Sequence, residues 1–80
     1  MIRVHRLLIE ITQVQLIAAG REIREVRRLK SLYGTGKWRK MKGVASVETQ
    51  HGEVMRAKVH WYEAHGIGKR EMRVKRALDS

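Results

Sequence analysis

From Val54 to Tyr62 the chain alternates. Met55, Ala57, Val59 and Trp61 fall on one face, and Val54, Arg56, Lys58, His60 and Tyr62 on the other. A period of two over this length predicts a half-buried strand. The same period runs through Ala45, Val47 and Thr49, opposed by Val44, Ser46 and Glu48. Gln50-His51-Gly52-Glu53 separates the two runs, and so short a connection predicts an antiparallel hairpin. AHGIGK makes the next turn. Residues 69–77 then give a third strand, with Met72 and Val74 on one face and Glu71, Arg73 and Lys75 on the other.

The first part of the chain carries a different period. Val4, Leu8 and Ile11 start one stripe, and Leu16, Ala19, Ile23, Val26 and Leu29 continue a second at helical spacing. Good helix formers dominate residues 4–32; Gly20 is the weak point, costing on the order of 1 kcal/mol against alanine. A second reading makes residues 2–11 a first strand, with Thr12 and Gln15 as a capping box that opens a shorter helix. The continuous helix is preferred. The expected fold is therefore α+β: a long N-terminal helix (4–32) packed on one face of a three-stranded antiparallel sheet (44–78). A basic Gly/Trp loop (33–43) joins them, all in a single domain of residues 1–80. The expected core is Ala45, Val47, Met55, Ala57, Val59, Trp61, Met72 and Val74. Glu48, Arg56, Lys58, His60, Tyr62, Arg73 and Lys75 would line an open face, as antiparallel sheets commonly allow.

Composition sharpens this picture. The chain has 80 residues, 18 Lys and Arg against 8 Asp and Glu, a net charge of +10, and neither cysteine nor proline. A domain this small buries only roughly 60% of its unfolded surface. Without cysteine there is no disulfide framework or Cys-based zinc site, which suits a reducing compartment. No apolar run approaches the roughly 20 residues that span a bilayer. The N-terminal MIRVHRLLIEIT is broken by Glu10 and does not read as a signal peptide. A cytoplasmic location is expected. Excess positive charge points to a phosphate-rich partner. A membrane surface fits less well, because the cations spread over strands as well as the helix.

Three places carry candidate chemistry. On the open face, Arg56, Lys58, Arg73 and Lys75 could neutralise phosphates, and Tyr62 could stack on an unpaired base. In the loop, Lys37, Trp38, Arg39, Lys40 and Lys42 set a tryptophan among cations, an arrangement suited to stacking plus backbone contact. A plainer reading has Trp38 plugging the core edge. Lys69 and Arg70 follow the glycines of the last turn, which could offer N–H groups to a phosphate or serve only the turn. GTGK does not complete a phosphate-binding loop, since Ser31 stands where the first glycine belongs and Trp38 follows Lys37. His60, Glu63 and His65 do not match zinc spacing, so neither metal nor other cofactor is expected. Metal-independent RNA cleavage would need a base, an acid and cations. Glu48 or His65 could be the base, and His60 the acid, since imidazole titrates near neutral pH.

With its helix-first order and the basic residues of RAKVHWY and MRVKR, the chain resembles the bacterial ribonuclease toxins of the RelE and barnase-like group. The resemblance is architectural and carries no diagnostic motif. It implies an RNA-cleaving sheet surface covered by an acidic antitoxin, with Arg56, Lys58, His60, Arg73 and Lys75 as site candidates. The expected function is nucleic-acid binding, RNA before DNA, because exposed aromatics on a sheet suit unpaired bases. The alternatives are a ribonuclease acting from the same face and a protein-interaction module that dimerises through the long helix.

Overall fold

The computed structural model describes residues 2–7 and 10–78; Met1, Leu8, Ile9, Asp79 and Ser80 lie outside the described residues. The strands β1 (Ile2–Leu7), β2 (Thr12–Ala19), β3 (Arg39–Thr49), β4 (Val54–Ala64) and β5 (Gly68–Ala77) form one antiparallel sheet. A 3₁₀ turn at Gly20–Glu22 and one short helix, α1 (Val26–Tyr33), connect β2 to β3.

This corrects the expected fold. No helix runs over residues 4–32. Leu16 of the presumed helical stripe is exposed on β2, Ile23 is buried in the link, and only Val26 and Leu29 lie on α1. Leu8, of the first stripe, lies outside the described residues. The segment TQVQLIAA alternates as well as it spirals, and β3 offers it an edge to pair with. Thr12 opens no capping box; its hydroxyl donates to the Val44 carbonyl at 3.4 Å. Gly20 then takes a left-handed φ of +55°, which ends the strand at little steric cost. The expected loop 33–43 is also shorter. From Arg39 onward it is strand, because Met41 and Gly43 extend the alternation of Ala45 and Val47.

β1 and β2 run end to end along one edge of β3. Leu7 pairs with Val47, and Thr12 with Val44. β1 also pairs with β5, through Ile2–Val74 and Arg3–Arg73. The sheet thus curls until its first strand touches its last, closing one end as a small barrel. The core inside is Met41, Ala45, Val47, Ala57, Val59, Trp61 and Val74, with Ile11, Met55 and Met72 packed against it. Alternation predicted this core; what covers it differs. The sheet closes on itself, while α1 lies on the opposite face. There Ile23, Leu29, Trp38, Tyr62 and Ala64 form a second cluster at the far end of the β3–β4 hairpin.

Candidate functional site

Two cores on opposite faces leave one stretch of sheet uncovered. It is the middle of the face that α1 only partly covers. On β3 and β4 the register there is Lys40–Tyr62, Lys42–His60, Val44–Lys58 and Ser46–Arg56. On the other side of β4, His60 pairs with Arg73 of β5. Antiparallel partners share a face. His60 is therefore flanked by Lys42 on one neighbouring strand and Arg73 on the other, with Lys58 two residues along its own.

Two small clefts meet at His60. One, of about 110 Å³, is lined by Gln13, Gln15, Lys42, Val44 and Lys58 together with His60. The other, of about 50 Å³, adds Lys40, Tyr62, Glu71, Arg73 and Lys75. The imidazole is half-buried, and its Nδ1 has no hydrogen-bond partner among the described residues. Burial and the charges of Lys75, Lys40 and Lys42 lower its pKa below the usual histidine value. His60 is thus a neutral ring in a positive field.

The acidic side chain in these clefts is already engaged. Arg28 of α1 donates twice to Glu71, at 2.7 and 2.8 Å, and the Tyr33 hydroxyl donates at 2.7 Å. These bonds, Arg28 first, hold the Glu71 carboxyl down at about 2 against the opposing effect of burial. Arg73 lies 3.7 Å from the same carboxylate. Lys40 sits over the Tyr62 ring at 5.9 Å. Among the described residues, Lys40, Lys42, Lys58 and Lys75 form no ion pair.

Lys40, Lys42, Arg56, Lys58, Arg73 and Lys75 thus share one face around His60. The remaining candidates lie elsewhere. Trp38 is 1% exposed and donates from Nε1 to the Gly34 carbonyl at 3.0 Å. Tyr62 is 8% exposed; its hydroxyl donates to Glu25 at 2.7 Å, and burial with this bond raises its pKa to about 12. Neither ring is open to a base, which corrects the expectation of a stacking platform. Arg39 points to the other face and pairs with Glu63. Lys69 pairs in register with Glu63 beside the last turn, and Arg70 stacks on Tyr33 at 5.2 Å. Lys37 stands exposed ahead of β3.

The three acid–base candidates are not brought together. Glu48 lies six residues along β3 from Lys42, the partner of His60, so about 20 Å away at strand rise. His65 is exposed in the turn after β4, about 16 Å from His60 on the same measure. Sequence reasoning missed Gln13 and Gln15, which β2 delivers to the first cleft, and the supports Glu25, Arg28 and Tyr33. The alternation of Thr12–Ile17 was a usable signal for the glutamines. The supports join residues 37 to 43 positions apart, which no local pattern encodes.

Set against known proteins, the chain matches no family model, no curated protein and no solved structure. No helix among the described residues is long and apolar enough to cross a membrane. Fold and site together define a small, basic, partly closed β-sheet protein with a cationic face.

Proposed function

We propose that the protein binds nucleic acid through its phosphate backbone, on the face centred on His60. The observation that carries this reading is the grouping of Lys40, Lys42, Lys58, Arg73 and Lys75 around one imidazole, beside a carboxylate already taken by Arg28. Four lysines gathered on one face, with no ion pair among the described residues, are the electrostatic footprint of a phosphate partner. The preference for RNA rested on exposed rings. With Trp38 and Tyr62 buried, the face reads charge and spacing, and takes single strands and duplexes alike. The proposed location is the cytoplasm, where such partners abound.

Binding should weaken steeply with salt, because releasing condensed counterions gains less entropy as the bulk salt rises. Replacing Lys42, Lys58 and Lys75 together by glutamine should lower the slope of log K against log salt by about 3. Fluorescence anisotropy on duplex and single-stranded probes would measure it. An unchanged slope, or no salt-sensitive binding in the parent, would sink the proposal.

A metal-independent ribonuclease of the RelE or barnase-like kind is the second reading. What favours it is the imidazole of His60, an acid–base group set within a row of cations that could hold a strained phosphate. Against it stands the distance to Glu48 and His65. Incubating a mixed RNA pool with the protein in EDTA separates the two. Cleavage that disappears in His60→Ala supports the enzyme, whereas bound, intact RNA supports the binder. The third alternative, dimerisation through a long helix, falls with that helix.

A further inference from the structure

β2 is an edge left open. Among the described residues it pairs only with β3, so its outer N–H and C=O groups have no ladder partner. Edge strands are normally protected by charge, proline or cover. Here the segment from Ile11 to Gly20 holds no charged residue and no proline, in a chain of net charge +10. It also exposes large apolar side chains: Val14 at 49%, Leu16 at 56% and Ile17 at 41%. Register shifts near Gln13 and between Leu16 and Ala18 bend the strand, so the stretch free to pair is short and centred on Val14–Ile17.

We infer that β2 is the pairing edge for a second copy of this chain, joined antiparallel about a two-fold axis. Charge selects the occupant. An acidic partner, which most of this surface would attract, finds no cation on β2. A second copy meets less repulsion there than on the His60 face, because the pairing edge is the neutral stretch of a cationic molecule. The strand is also flanked by opposite charges, exposed Glu10 before it and exposed Arg21 after it. Antiparallel self-pairing sets the Glu10 end of each strand beside the Arg21 end of the other. The apolar side chains left in water on one copy are covered by the same side chains of its mate, as an isologous interface requires. A two-fold perpendicular to the sheet keeps both copies' His60 faces on the same side.

Oligomeric state tests this independently of any nucleic-acid binding. Sedimentation velocity over a wide concentration range should show a monomer–dimer equilibrium. Leu16→Lys and Val14→Lys should shift it to monomer, with circular dichroism unchanged and a thermal unfolding midpoint equal to that of the parent at concentrations where the parent too is monomeric. The absence of cysteine allows a second test that a misfolded variant could not mimic. Under mild oxidation Leu16→Cys, which the two-fold sets next to its mate within disulfide reach, should give a covalent dimer many-fold faster than Leu32→Cys, whose site on α1 is similarly exposed. A monomer at every concentration, or equal cross-linking rates at the two positions, would overturn the inference.

Discussion

Glu71 shows how one side chain can fix a surface it does not itself form. Its backbone takes φ of +56°, a conformation that costs a non-glycine residue free energy. The register between β4 and β5 shifts beside it, between His60 and Tyr62. In return its carboxylate accepts two bonds from Arg28 and one from Tyr33, tying α1 to the sheet. The folded carboxyl titrates at about 2 against 4.5 in the free side chain. Because the folded value is the lower, the stabilisation is complete above about pH 4.5 and is lost as pH falls toward 2. The difference of 2.5 units corresponds to about 3 kcal/mol at 1.36 kcal/mol per unit. Glu71→Gln should cost about 1–3 kcal/mol at pH 7, since it removes the charge-assisted bonds from Arg28 and leaves that guanidinium only Glu25, 3.3 Å away, as counter-charge. Urea unfolding at pH 7 and pH 3 checks both parts. The parent's loss between the two should shrink in the variant, and equal losses would mean that Glu71 is not the group responsible.

At the scale of elements, the bend between β1 and β2 decides whether the barrel closes, and Gly43 makes room for it. A Cβ there would stand 2.4 Å from Ile11 Cγ2, 3.0 Å from the Thr12 carbonyl oxygen and 3.4 Å from the Trp61 ring. The Thr12 carbonyl is backbone paired to β3 and cannot swing away. Gly43→Ala should therefore destabilise by about 1–3 kcal/mol, as overpacking does, although alanine is otherwise the less flexible residue. A thermal midpoint at or above the parent's would show that the bend is softer than this. The hairpin β3–β4, the strand β5 and their shared core were legible in the chain, because each has one dry and one wet face. β2 was not. Leu16, Ala19, Ile23, Val26 and Leu29 satisfy a period of 3.6, and only the presence of β3's edge decides for the strand. Of the site's cations, alternation marks Lys58, Arg73 and Lys75, as it marks the core, whereas Lys40 and Lys42 fall in the expected loop and reach the face only because β3 starts at Arg39. The burial of Tyr62 was not, because its cover comes from Ile23 and Leu29, residues far away in the chain. Trp38 had been open to either reading, and the α1–β3 link places it inside.

Across the whole molecule the excess of positive charge acts on one titrating group. Lys40 and Lys42 face His60 from β3, Lys58 from its own strand, and Arg73 and Lys75 from β5. From the same cleft Glu71 faces it with its charge largely met by Arg28. The glutamines of β2 add no charge. Burial, and then Lys75, Lys40 and Lys42, hold the free imidazole below its ordinary 6.5. A bound polyanion would cancel much of that field and raise the pKa in the complex. The bound state then holds more protons than the free state between the two values. Affinity should accordingly rise as pH falls from 8 toward 5.5, by up to about tenfold for each unit by which binding raises the pKa. The titration of His60 by NMR, with and without a short duplex, gives both pKa values directly. The dissociation constant measured across the same range should follow them. In His60→Asn the pH dependence should flatten, while the salt dependence, carried by the lysines, remains. If the variant kept the parent's full pH slope, the protons would be entering elsewhere than at His60, one of four histidines in the chain. The row around His60 would then not be where the polyanion sits.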